Sequence, residues 1–204
     1  MSRLIDPTSL AFLIAENRTM PMHVGSLQLF AAPEGAPRDY ARRVYEQLIG
    51  DPDVSALFLK RPVRSWRTGG QWVWEQDSEF DIEHHVRHSA LPQPGRIREL
   101  LDLCSRLHGT RLARERPLWE AHVIEGLQDG RFAIYVKLHH SLIDGIAASR
   151  LMQASMSTDP TDTRIVPMWS ASLQRGRAPI DVGAATGVPA DEESSGVVAT
   201  AQGL

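Results

Sequence analysis

A layered α+β domain, with a mixed, mostly antiparallel sheet covered by helices, is the architecture this sequence predicts. Three observations predict it. Phe132 to Leu138 is a nearly continuous apolar run of strand length, and Asp129-Gly130, between it and the apolar stretch Trp119 to Ile124, signals a hairpin. Two longer segments, near 37–49 and 96–112, carry apolar residues at helical spacing with charged residues between them. A length of 204 residues, with 42% apolar and 23% charged side chains, suits one well-buried core.

Taken in order, Asp6 or Thr8 caps a short helix with Pro7 in its first turn, and Leu10, Phe12, Leu13 and Ile14 give it a side to bury. After Pro21, Val24, Leu27, Leu29 and Phe30 alternate with Ser26 and Gln28 at nearly period two, so His23 to Phe30 reads as a strand. Tyr40, Val44 and Leu48 recur every four positions in an amphipathic helix that Gly50-Asp51-Pro52 ends. Leu57 to Leu59, Trp72 to Trp74 and Phe80 to Val86 are short β-prone pieces separated by Pro62, Gly69-Gly70 and Asp77-Ser78. Ile97, Leu100, Leu101, Cys104, Leu107 and Leu112 then form the stripe of a second long helix, and another helix runs from about Gly145 to Met156. Beyond Trp169 bulky apolar residues almost vanish, so the reading is a domain over 1–175 followed by a flexible tail or shortened linker over 176–204.

The charge balance narrows the function. Twenty-two basic against 25 acidic side chains leave −3, which points to no nucleic-acid partner. Cys104 is the only cysteine, so an intramolecular disulfide and a cysteine-built zinc site are both excluded, and a reducing compartment fits. Asp6 and Pro7 interrupt any signal-like stretch, and no window approaches the roughly 20 apolar residues needed to span a bilayer. The expectation is a cytoplasmic protein, with any contact to the inner membrane or lipid inclusions peripheral.

The strongest local signal is His139-His140-Ser141-Leu142-Ile143-Asp144-Gly145, directly after the apolar strand. Successive strand side chains point to opposite faces, so one histidine faces a cleft and the other supports it. Asp144 is placed to cap the next helix or pair with an arginine, and Gly145 lets the chain turn sharply. An imidazole can take a proton from an alcohol and return it to a thiolate, which is the proton traffic of acyl transfer. A bare His-His pair would merely close a strand; the Asp144-Gly145 completion favours chemistry. A metal reading offers His140 and Asp144 but no third ligand, so no metal is assigned.

With these residues the sequence resembles the chloramphenicol acetyltransferase-like acyltransferase superfamily, whose signature His139-His140-x-x-x-Asp144-Gly145 matches. Further segments resemble the wax ester synthase/diacylglycerol acyltransferases: Pro21-Met22-His23-Val24-Gly25, His85-Val86-Arg87, Arg116-Pro117-Leu118-Trp119-Glu120, and Ile124-Glu125-Gly126-Leu127 with Gly130-Arg131-Phe132. The resemblance covers about Leu4 to Trp169 and matches that family's N-terminal half. It implies a CoA-dependent acyltransferase half-domain with His140 as catalytic base and His139, Asp144 and Gly145 as the supporting motif. Pro117, Leu118 and Trp119 match a second family motif, either lining substrate or simply burying an indole. No cofactor is implied; acyl-CoA is a substrate, with diacylglycerol or a fatty alcohol as acceptor. Two departures stand out. Ala113 replaces an aspartate usual in the family, removing an ion pair, and the family's second half, which completes the tunnel, is absent. A separate C-terminal half is therefore an implied partner, and a non-catalytic lipid-binding remnant is the alternative reading.

Overall fold

In the computed structural model, residues 3–50, 53–159, 162, 164–173 and 175 are described; the expected tail over 176–204 lies outside them. Asp6 opens the first helix, α1 (Pro7–Ala15), by accepting a hydrogen bond from the Ser9 amide at 2.9 Å, with Pro7 where no intrahelical donor is needed. A four-stranded sheet forms the centre, in the order β2 (His23–Phe30), β7 (Phe132–His139), β6 (Trp119–Glu125), β5 (Val86–Ala90). Both pairs involving β7 are antiparallel, and β5–β6 is parallel. That parallel step is made by a crossover through α4 (Ile97–Gly109). The β6–β7 hairpin turns through Gly126 (φ 92°) and Gly130 (φ 78°), as its sequence anticipates.

Alternation along the strands sorts the side chains onto two faces. Trp119, Ala121 and Val123 of β6, with Phe132, Val136 and Leu138 of β7, join one cluster with α2 (Tyr40–Gly50) and α5 (Gly145–Ala154). The intervening Ile124, Ala133 and Tyr135 pack beneath Leu100 and Cys104 of α4. A smaller antiparallel sheet, ordered β1 (Arg3–Leu4), β4 (Gln71–Gln76), β3 (Lys60–Ser65), packs Trp74 with Ile5, Leu13 and Leu118.

Three expected boundaries are corrected. Leu57 to Leu59 lie in a turn, and the strand begins at Lys60 and runs through Pro62, which is tolerated because β3 is an edge strand. Phe80 to Val86 is not one strand: Asp81 caps a single helical turn, α3 (Ile82–His85), through the Glu83 amide at 3.0 Å, and pairing starts at Val86. The second long helix stops at Gly109, leaving Leu112 in a loop but buried with Leu13 and Leu118.

Candidate active site

The His139–Gly145 motif leaves the sheet on hydrogen bonds that extend its pairing. The His139 amide donates to the Leu118 carbonyl at 3.0 Å, and the His140 amide to the Met22 carbonyl at 2.9 Å. Leu142 and Ile143, both fully buried, anchor the turn in the core. Asp144 closes it by accepting from the Ala147 amide at 2.7 Å, capping α5 rather than pairing with an arginine. Gly145 departs from its expected role: its φ is not in the left-handed region, and a Cβ added there meets open space. The cap and the two buried side chains hold the turn.

The paired histidines differ most in burial. β7 ends at His139, whose side chain is wholly buried, while His140 is half-buried and stacks on Phe12 of α1, ring centroids 5.0 Å apart. His139 Nδ1 accepts from the Ser141 amide at 3.0 Å, which puts the ring proton on Nε2. Nε2 faces Glu16 Oε1 at 3.6 Å, too long for a hydrogen bond. Burial pushes His139 down to about 4, against the pull of the Glu16 carboxylate. Glu16 is itself held by Arg114, whose Nη2 donates to Glu16 Oε2 at 3.1 Å and to the Leu13 carbonyl at 2.6 Å.

Beside His139, the sheet face beneath the C-terminal end of α4 turns from apolar to polar. Lys137 is fully buried, and its Nζ reaches Glu120 Oε1 (2.6 Å) and the Leu107 and Thr110 carbonyls (2.6 and 2.8 Å) at the C-terminal end of α4. All three ammonium protons thus have partners, and the charge sits where the helix dipole favours it. Burial opposes ionisation of Glu120, but the ring of His122 and the ammonium of Lys137 outweigh it and hold the carboxyl at about 2. Tyr135 and His108 join at 2.8 Å over Gly25, where an added Cβ would stand 2.7 Å from the phenol oxygen. Gly25 is required by that close approach.

Pro117, Leu118 and Trp119 are all buried. Leu118 supplies the carbonyl that holds His139, and Trp119 donates from its indole to the Phe58 carbonyl at 2.8 Å between the rings of His85 and Trp169. A cavity of about 410 Å³ opens on the other face of the sheet, floored by Phe132, Ile134 and Val136 and walled by Tyr40, Val44, Leu48 and Met152. It does not reach His140. Among the described residues, no group of three or more His, Cys, Asp or Glu is placed to hold a metal, and no helix is long and apolar enough to cross a membrane.

The profile of the wax ester synthase/diacylglycerol acyltransferase catalytic domain matches residues 5–203. The chain belongs to that family. A putative diacylglycerol O-acyltransferase of Mycobacterium tuberculosis is 48% identical over 170 residues, covering 83% of this chain and 38% of that protein. An O-acyltransferase of Acinetobacter baylyi is 42% identical over 175 residues, or 86% of this chain and 37% of that one. The solved wax ester synthase/diacylglycerol acyltransferase from Marinobacter aquaeolei VT8 superposes with a TM-score of 0.79 at 46% identity, over 86% of this chain and 42% of the other. A condensation domain of the calcium-dependent antibiotic synthetase shares the fold at 16% identity and a TM-score of 0.54. The chain therefore spans about two fifths of the length of these family members.

Sequence reasoning singled out His139, His140, Asp144, Gly145 and the Pro117–Trp119 run, which the fold brings together through β7 and the Leu118 carbonyl. It missed Glu16, Arg114, Lys137 and Glu120. Glu16 and Arg114 are 98 positions apart, and neither carries a local pattern.

Proposed function

We propose that this chain supplies the proton-transfer half of a long-chain acyl-CoA:lipid-alcohol acyltransferase, with His140 as general base. His140 takes the proton from the hydroxyl of diacylglycerol or a fatty alcohol, and the oxygen attacks the thioester carbonyl. The tetrahedral oxyanion collapses, the C–S bond breaks, and the imidazolium returns the proton to the CoA thiolate. The observation that carries this reading is the difference within the pair: His140 is the motif imidazole with solvent access, whereas His139 is enclosed, tethered to Ser141 and kept neutral by burial. His139 then serves as a positioning residue, with Glu16 and Arg114 behind it. The apolar floor that alternate residues of β7 give the cavity suits a hydrocarbon chain of one substrate, with Asp162 and Arg164 at its polar side. Such substrates reside in lipid phases, so the chain works peripherally at an inner membrane or inclusion surface.

The share of its relatives that the chain covers favours a second reading, in which it is silent, or only lipid-binding, until a separate C-terminal half joins it. One assay tests both: labelled acyl-CoA with diacylglycerol or hexadecanol, using the chain alone and with a C-terminal half from a relative. Activity in either arm that falls roughly 10²–10⁴-fold in His140→Ala, with an unchanged melting temperature, supports the base. An equal or larger fall in a stable His139→Ala would reverse the roles; activity confined to the arm with the C-terminal half would support the second reading, and inactivity in both arms would count against both.

A further inference from the structure

The small sheet carries a surface that acyl transfer does not use. Within a chain of net charge −3, residues 60–67 hold Lys60, Arg61, Arg64 and Arg67 and no acidic residue. They form β3 and the turn into β4, a hairpin tip closed by Gly69 (φ 67°) and Gly70 (φ 84°). Trp66 stands at this tip 83% exposed, an outlier for a side chain that usually buries most of its area. The Arg67 guanidinium lies 5.5 Å from the Trp66 ring centre, and Arg64 lies 5.3 Å from that of Trp72. Arg3 is exposed on β1, which pairs with β4 on its other side. Among the described residues, Arg3, Arg64 and Arg67 form no salt bridge, so their charge is available to a partner.

We propose that this hairpin tip docks the protein on an anionic phospholipid bilayer, Trp66 entering the headgroup layer and Arg64 and Arg67 meeting lipid phosphates. An indole with an apolar body and one N–H belongs at the boundary between headgroups and acyl chains. Clustered basic residues add attraction to a negatively charged leaflet, worth roughly fivefold in partitioning for each. The tip projects from a hairpin rather than lining a groove, which suits a planar surface better than a nucleic-acid strand, whose bases need a row of stacking platforms. The proposal takes its lipid setting from the acyltransferase reading, but its test involves no acyl transfer, so either can fail while the other stands.

The test is co-sedimentation of the 204-residue chain with vesicles of phosphatidylcholine alone or mixed equally with phosphatidylglycerol, at low and high salt. The chain should pellet with the anionic vesicles only, and salt should release it. Trp66→Ser should weaken this binding, and the double variant Arg64→Gln/Arg67→Gln should weaken it by roughly tenfold or more. Anionic vesicles should also shield wild-type tryptophan fluorescence from acrylamide, and Trp66→Ser should lose that shielding. These positions are exposed, and an unchanged far-UV spectrum checks the fold. No binding by the wild-type chain, variants that bind like it, equal binding to both vesicle types, or preference for a single-stranded oligonucleotide through the same residues would each overturn the proposal.

Discussion

The two faces of the four-stranded sheet solve burial in opposite ways. Against α2 and α5 the sheet offers Trp119, Ala121, Val136 and Leu138, whose burial is stabilising in any close-packed arrangement. Towards α1 and α4 it adds to the apolar Ile124, Ala133 and Tyr135 the polar Lys137, Glu120, His122 and His139, and the buried ammonium of Lys137 is tolerable only where its three acceptors stand. The apolar face tolerates variation. The polar face fixes the end of α4 and the approach of α1, and with them the surroundings of the paired histidines.

Removing a charge from the polar face is the harshest test of this contrast. Lys137→Ala takes the partner from the half-buried Glu120 and from two carbonyls at the end of α4, and should cost about 1–3 kcal/mol in urea unfolding. A loss well below ~1 kcal/mol would mean that water replaces the ammonium at these acceptors. Lys137→Met with Glu120→Leu should recover much of the loss.

Acid provides a second test, because each face encloses a histidine. Burial holds both His85, stacked on Trp119, and His139 at about 4, against 6.5 for an unperturbed imidazole. Between those values the unfolded chain binds protons that the folded one excludes, so stability should be full above pH 6.5. The histidine contribution should fall as the pH drops towards 4, by up to about 3 kcal/mol for each, and below that Glu120, held at about 2 against an ordinary 4.5, should carry the loss further. Unfolding midpoints across this window should give a slope that His85→Gln reduces; an unchanged slope would exclude His85 as a source.

The smallest effects concern the turn where the two faces meet. Asp144→Ala should lose about 1 kcal/mol with the α5 cap. Gly145→Ala should be neutral or gain up to about 1 kcal/mol, because its backbone angle is ordinary and the space is open. A Gly145→Ala loss exceeding that of Asp144→Ala, both read by thermal unfolding, would restore a steric role to the glycine.

The same contrast explains what was legible in the sequence. The apolar face is written locally, through the alternation of Trp119, Ala121 and Val123 and the helical spacing of Tyr40, Val44 and Leu48, so the hairpin, its inner strand and the long helices could be read directly. The polar face uses residue types that ordinarily face water: Glu120 and His122 look like the solvated side of an amphipathic strand until Lys137 and Tyr135 of β7 stand against them. Its pairings, Lys137 with Leu107 and Glu16 with Arg114, depend on the tertiary fold alone. Pro62 misled for a related reason, since whether proline interrupts a strand or sits at an edge depends on neighbours that the local sequence does not specify. Within the motif, the fold placed the more enclosed imidazole first, and spacing alone could not assign that burial.

The bond from the His140 amide to the Met22 carbonyl makes that residue the outermost rung of the β2–β7 ladder rather than part of a free loop. Its backbone can swing away only when the ladder frays at Met22 and His23. How often the imidazole leaves its place is therefore set by a local opening equilibrium of the sheet, a quantity that amide exchange at His140 reads directly.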